Sequence, residues 1–324
     1  MSFKIINPGY GKIYDADSLE TIENSIYNPL NGIAFQKSTT LNNELFLKIN
    51  LPEGLSNELY FKFDLFADTT GDITGLFFGD YRSDAIKNKN WMTALEVYWG
   101  KAYISYSNYR YGNGQTINAK ALNKIWAHIH FGADNSTSYS ELQINNNSLE
   151  KIFFSSNSYA GYYPFNNSYK EFIIYFPSTS YAGNYAKISN LIISDEYISP
   201  KEQIISLPIS SIESDMTFDS ETGIYTATAA NQSLLSAVNV TSLIEEYGNN
   251  STVTGVALVG NPAYKTAEGL SSLTAFSKDS SGNVANYGTY ALGSDSSGVI
   301  ADSQILTGKT ISDLQNLKFG WIAN

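Results

Sequence analysis

The segment Leu59-Tyr-Phe-Lys-Phe-Asp-Leu65 alternates strictly: Leu59, Phe61, Phe63 and Leu65 fall on one side of an extended chain, Lys62 and Asp64 on the other. A period of two belongs to a half-buried antiparallel strand and cannot be read as a helix. Comparable runs predict strands over residues 44–50, 74–78, 93–99, 102–107, 125–131, 140–144, 172–176 and 187–194. Turn sequences separate them: Asp68-Thr-Thr-Gly-Asp72, Tyr111-Gly-Asn-Gly114, Asp134-Asn-Ser-Thr137 and Asn145-Asn-Asn147. Many short strands at this spacing make a sandwich or a barrel. Helical pattern is scarce. Thr241-Ser-Leu-Ile-Glu-Glu-Tyr247 predicts one or two turns, capped by Thr241 or Ser242 and ended by Gly248, and residues 312–317 predict another turn.

A chain of 324 residues exceeds one typical small domain and suggests two. The composition changes near Pro200–Pro208. Residues 1–209 hold 19 of the 24 tyrosines, with 16 basic and 20 acidic residues; residues 210–324 hold 4 basic and 11 acidic residues, so −7 of the net charge of −11 lies there. We divide the chain into an arm or first strands (1–40), a first β-domain (41–199), a linker (200–209) and a smaller β-domain (210–324). Strands are expected in the last over 223–229, 252–259, 272–277, 288–292 and 317–322.

Several function classes drop out on charge and residue content. A net charge of −11 offers no basic footprint for nucleic acid and no attraction to an anionic membrane. With no cysteine the chain forms no disulfide, iron–sulfur cluster or cysteine-ligated zinc site. The start Met1-Ser-Phe-Lys-Ile-Ile-Asn-Pro-Gly9 does not read as a signal peptide, and no run approaches the roughly 20 apolar residues of a membrane span. Charged residues are only 16%, so the surface is polar without being highly charged. That composition fits an extracellular or virion protein.

Two stretches carry a resemblance. Lys124-Ile-Trp-Ala-His-Ile-His-Phe131, a polar turn and Glu141-Leu-Gln-Ile-Asn-Asn146 are similar to the paired strands of laminin-G or concanavalin-like jelly rolls, in which a tryptophan opens one strand and a hairpin returns along the next. Ala186-Lys-Ile-Ser-Asn-Leu-Ile-Ile-Ser-Asp195 is similar to the strand that closes such sandwiches. The resemblance implies that the first β-domain is a concanavalin-like jelly-roll sandwich; with the strand pattern of residues 210–324, the expected fold is all-β, a jelly roll followed by a smaller second β-sandwich. It also implies a glycan- or protein-binding role, with hydrolases or lyases a minority and a rim calcium in many members. The composition further resembles phage tail-fibre and other virion surface proteins, for which a homo-oligomer, a trimer by that resemblance, is the expected form.

Candidate site residues follow the aromatics. Five tyrosines and a tryptophan lie between Tyr98 and Tyr111. Tyrosine offers a flat apolar face and a hydroxyl at low entropy cost, which suits recognition surfaces. On one strand Tyr103, Ser105, Ser107, Tyr109 and Tyr111 would share a face. Tyr103, Tyr109 and Tyr111, with Arg110, Asn113 and Gln115, are the expected glycan contacts, joined by Tyr162 and Tyr163 of the aromatic loop Tyr159–Phe165. The same tyrosines would otherwise serve as strand formers in sheet or subunit contacts.

His128 and His130 share a strand face and could hold a metal only with a carboxylate from elsewhere; polar positions on a half-exposed strand explain them more simply. Glycoside hydrolysis needs two carboxylates across a cleft. No alternating Glu-x-Asp-x-x-Glu cluster occurs: Glu96 stands alone, and Asp64 is followed only by Asp68. Calcium is an option at Asp134/Asn135 and Asp279/Asn283, where Asx turns are the ordinary alternative; no other cofactor is expected. The expectation is a non-enzymatic virion surface protein that contacts a host cell-surface glycan and other virion proteins. The alternatives are a structural capsid-decoration or baseplate protein and a polysaccharide-degrading enzyme.

Overall fold

The computed structural model describes residues 3–7, 13–15, 27–28, 32–36, 45–52, 56–67, 74–78, 92–98, 100–106, 109–133, 136–153, 171–176, 185–260, 262–266, 269–296 and 300–324. The chain forms two compact units, Met1–Ile204 and Ile205–Asn324.

The first unit is built from strands alone among its described residues. In chain order they are β1 (Lys4–Asn7), β2 (Ile13–Asp15), β3 (Tyr27–Asn28), β4 (Gly32–Gln36), β5 (Leu45–Asn50), β6 (Glu58–Ala67), β7 (Thr74–Phe78) and β8 (Met92–Tyr98). There follow β9 (Lys101–Tyr106), β10 (Tyr109–Thr116), β11 (Ala121–His130), β12 (Tyr139–Ile144), β13 (Glu150–Phe153), β14 (Glu171–Phe176) and β15 (Tyr185–Ser194). They make two antiparallel sheets. One runs β13-β12-β11-β6-β15-β4-β3, with β1 also on β15; the other runs β10-β9-β8-β7-β14-β5-β2. The chain passes repeatedly between the sheets, so most neighbours are distant in sequence, as in a jelly roll.

Alternation explains the core. Leu59, Phe61, Phe63 and Leu65 of β6 and Ile125, Ala127 and Ile129 of β11 are buried against Leu95 and Val97 of β8, Ile104 of β9 and Phe172 and Ile174 of β14. The rings of Phe61 and Phe172 meet across the sheets edge to face, 5.4 Å apart. The opposite side of β6 departs from the half-exposed strand that its alternation suggests, because Lys62 and Asp64 are also buried. Asn190, in the left-handed region at a bulge of β15, donates its amide to Asp64 at 2.7 Å. Burial pulls the Lys62 ammonium below its usual value, with Asp64 opposing and Lys124 adding to the shift. Part of this outer face is overlaid after β15. Trp126, Ile192 and Ile198 form a small apolar cluster with Tyr60 and Ile204, and the Trp126 indole N–H donates to the Ile198 carbonyl at 2.6 Å.

The second unit contains β16 (Ile209–Ser214), β17 (Thr217–Asp219), β18 (Ile224–Thr226), β19 (Ser233–Val238), helix α1 (Thr241–Tyr247), β20 (Thr252–Gly260), β21 (Ser272–Asp279), β22 (Val284–Ala291), β23 (Ile300–Thr310), helix α2 (Ile311–Leu314) and β24 (Leu317–Ala323). A five-stranded sheet, β16-β19-β24-β21-β22, shares one core with the β20–β23 ribbon and both helices through Leu243, Leu258, Ala275, Ile311, Leu314, Phe319 and Trp321. The strand β16 occupies the start of the expected 210–324 domain and takes in Ile209 of the expected linker. Leu207, also in that linker, packs on this second core.

Helix α1 matches its expected span and ends at Gly248, whose N–H donates to the Ile244 carbonyl. Neither Thr241 nor Ser242 caps it: Val240 takes the N-cap position with no side-chain bond, and Asn239 Oδ1 accepts from the Thr241 N–H at 3.0 Å. Among the described residues no helix is long and apolar enough to cross a membrane.

Candidate functional site

The aromatic run folds into β8, β9 and β10, next to one another at the edge of the second sheet. Tyr103 of β9 stands opposite Glu96 of β8. The register corrects the shared face expected for the tyrosines. Arg110 pairs with Ser105, two residues on from Tyr103, whereas Tyr109 pairs with Tyr106 and Tyr111 with Ile104. The chain reverses between β9 and β10, so parity carried along a single strand does not survive the turn.

Tyr111-Gly-Asn-Gly114, expected as a turn, is instead an irregular stretch within β10, where the register shifts between Tyr111 and Gln115. Both glycines adopt positive φ, +74° at Gly112 and +64° at Gly114. The shift has a packing reason. A Cβ at Gly114 would come within 2.5 Å of the Tyr103 ring, so the ring lies against bare backbone. Lys101 Nζ donates to the Asn113 carbonyl at 2.9 Å, and the Asn113 N–H donates to Glu150 Oε1 at 3.3 Å. The result is a surface corner holding a half-buried tyrosine ring, an ammonium, a carboxylate and the exposed Asn113.

Gln115 sits elsewhere in energy terms. It is buried, its amide nitrogen donates to the carbonyls of Leu142 and Ser148 at 3.0 Å each, and its oxygen accepts from the Ile144 N–H at 2.8 Å. Its polar atoms tie β10 to β12 and do not face outward. Tyr162, Tyr163, Asp134 and Asn135 lie outside the described residues.

The histidine pair is engaged by carboxylates. His128 is 4% exposed, and both ring nitrogens face carboxylates: Nε2 is 2.6 Å from Glu58 Oε2 and Nδ1 is 2.8 Å from Glu141 Oε2. His130 Nδ1 is 2.8 Å from the other oxygen of Glu58. Among the described residues no group of three or more His, Asp or Glu side chains is arranged to hold a metal ion.

Glu141 also accepts from Lys151 at 3.2 Å. Burial pushes its carboxyl up, but the bonds from His128 and Lys151 outweigh this and hold it below the usual glutamate value. Burial, then the Glu58 carboxylate, pushes the Tyr60 phenol up to about 12. Only the spacing of the two histidines was visible in the sequence. Glu58 and Glu141 are distant from it along the chain and arrive through the pairing of β11 with β6 and β12.

At the other calcium candidate, Asp279 accepts from the N–H groups of Ser281 and Asn283 and from the Asn283 side-chain amide, each at 2.9 Å. Its carboxylate closes an Asx turn.

No family model and no curated protein matches the chain. Solved structures do. An alginate lyase in complex with an alginate trisaccharide is 13% identical with a TM-score of 0.39, covering 59% of this chain and 97% of its own. The lectin from Bauhinia forficata in complex with GalNAc is 8% identical at 0.38, covering 60% and 98%. The Bacillus licheniformis β-glucanase is 11% identical at 0.38, with the same coverages. These are likenesses of overall architecture, and we carry no residue role across from them. They correct one expectation: enzymes stand beside lectins among these structures, so the non-enzymatic reading is withdrawn.

Proposed function

We propose that the first unit binds carbohydrate at the corner formed by β9, β10 and the start of β13. The observation that carries this is the seat of Tyr103. A sugar ring presents C–H groups that pack on an aromatic face and hydroxyls that need hydrogen-bond partners. Here a half-buried tyrosine held against Gly114 stands beside the Asn113 amide, the Lys101 ammonium and the Glu150 carboxylate. Such contacts are individually weak, and several copies of the chain would supply avidity. The low charge and the Tyr-, Asn-, Ser- and Gly-rich composition support placing the chain on a virion surface as an oligomeric receptor-binding component.

A glycan array probed with the purified chain tests the first statement. Binding that is lost in Tyr103→Ala and weakened in Asn113→Ala is the expected result; binding indifferent to both variants sinks it. Incubating each bound polysaccharide with the chain and following reducing ends and ultraviolet absorbance distinguishes capture from hydrolysis or elimination. Light scattering on the same sample reads the oligomeric state.

A further inference from the structure

A second aromatic surface lies on the other sheet and on its outer side. Tyr197, in the segment after β15, meets Tyr60 of β6 edge to face at 5.6 Å. Tyr60 stacks on His128 of β11 at 4.1 Å, with planes 4° apart. His128 meets Tyr139 of β12 edge to face at 5.5 Å. Tyr139 in turn stacks on His130 at 4.8 Å and lies 5.4 Å from Phe153 of β13. The contacts form a continuous strip across four neighbouring strands, about 14 Å from first to last at the usual strand spacing. Its two ends are open to solvent, Tyr197 at 66% and Phe153 at 47% exposure.

Polar groups line the strip and are matched to one another. Glu58 lies between His128 and His130, and Glu141 lies between His128 and Lys151. The Lys151 ammonium also sits 3.4 Å from the Tyr139 ring centroid. His130 is half-buried, with Nδ1 held by Glu58, which leaves Nε2 to meet a ligand hydroxyl. Lys151 already pairs with Glu141, and each histidine faces a glutamate. Among its described residues the strip therefore offers aromatic planes and hydrogen-bonding groups but no unpaired ammonium for an anionic ligand. A polyanion would also meet the Glu58 carboxylate on a chain of net charge −11.

We propose that this strip is a second saccharide-binding platform, separate from the Tyr103 corner, and that it takes an uncharged glycan. Stacking on Tyr197 and Phe153 would hold the sugar rings, while Glu58 and His130 bond their hydroxyls.

The test uses the full chain and four neutral hexasaccharides of glucose or mannose, with an oligogalacturonate as the charged comparison. Binding is followed by calorimetry and ligand-observed NMR. The expected result is binding of at least one neutral probe, weakened about tenfold by Tyr197→Ala and again by Phe153→Ala, and unchanged by Tyr103→Ala. Both strip variants alter exposed side chains, and circular dichroism reports whether each stays folded. Binding that responds to Tyr103→Ala but to neither strip variant supports the corner and overturns the strip. No binding of any neutral probe, or tighter binding of the oligogalacturonate, also overturns it. So does a fall in oligomeric mass in Tyr197→Ala, which would assign the strip to a second copy of the chain.

Discussion

The ring of Tyr60 lies flat on the ring of His128, centroids 4.1 Å apart, while both nitrogens of that imidazole face glutamates on the two flanking strands. His128 is thus the hub that joins β6, β11 and β12 through side chains as well as through the backbone ladder. Removing it leaves two carboxylates facing each other across a small cavity. Chemical denaturation of His128→Ala should show a loss of about 2 kcal/mol, from the hydrogen bonds to Glu58 and Glu141 that disappear with the ring. Tyr60→Leu, which removes this stack together with the ring contacts to Tyr197 and Trp126, should cost about 2 kcal/mol.

Gln115 holds the sandwich edge by a different means, bonding the main chain of β12 and the turn that follows with both amide protons and its oxygen. Gln115→Leu fills similar space but leaves the Ile144 N–H and the Leu142 carbonyl without this partner. A destabilisation of about 2 kcal/mol is expected. Faster exchange of the Ile144 amide should accompany it; an unchanged exchange rate would refute the assignment.

The acid response of the first unit should depend on Glu141. Its folded carboxyl titrates below the ordinary value of 4.5, so it contributes stability that is complete above that value and disappears as pH falls through the folded one. Melting curves on Glu141→Gln should therefore show a shallower loss between pH 5 and pH 2 than the parent chain, an interval of about this breadth being usual for a depressed carboxylate. Parallel acid profiles would contradict this.

The second unit has its own point of intolerance. Gly320 of β24 faces the Leu234 carbonyl of β19, and a Cβ there would fall on that oxygen. Backbone cannot step aside as a flexible side chain can. Gly320→Ala should cost about 3 kcal/mol, the upper end of overpacking. Because the chain folds as two compact units, calorimetry should show one transition lowered and the other in place.

How far these features can be read from the residues depends on where their determinants lie. Leu59–Leu65 carries its own period, so β6 and its core face were legible, as were α1 and most of β11 and β15. β19 and β23 were not. Ser233–Val238 places Leu234 beside Leu235, and Ile300–Thr310 shows no sustained alternation, so pairing with distant strands decides both. The burial of Lys62 and Asp64 was hidden because their cover comes from outside their own strand. For the site, a two-residue spacing announced that His128 and His130 share a face, but Glu58 stands seventy residues from His128 and only strand register brings them into contact. Likewise, Gly112 and Gly114 suggested a turn. Their role in seating Tyr103 depends on the partner strand.

The two ends of the first unit meet. β1 pairs with the last four residues of β15, and the Phe3 N–H donates to Asp195 Oδ1 across 192 positions at 2.7 Å. During synthesis the first strand must therefore wait, unpaired, until the fifteenth has left the ribosome. Closing so long a loop is slow, although each doubling of its length adds only about 0.6 kcal/mol. The same adjacency makes this junction a natural place to join the ends in a circular permutant. Such a permutant would have β1 tethered from the outset and should fold faster than the parent without changing its architecture.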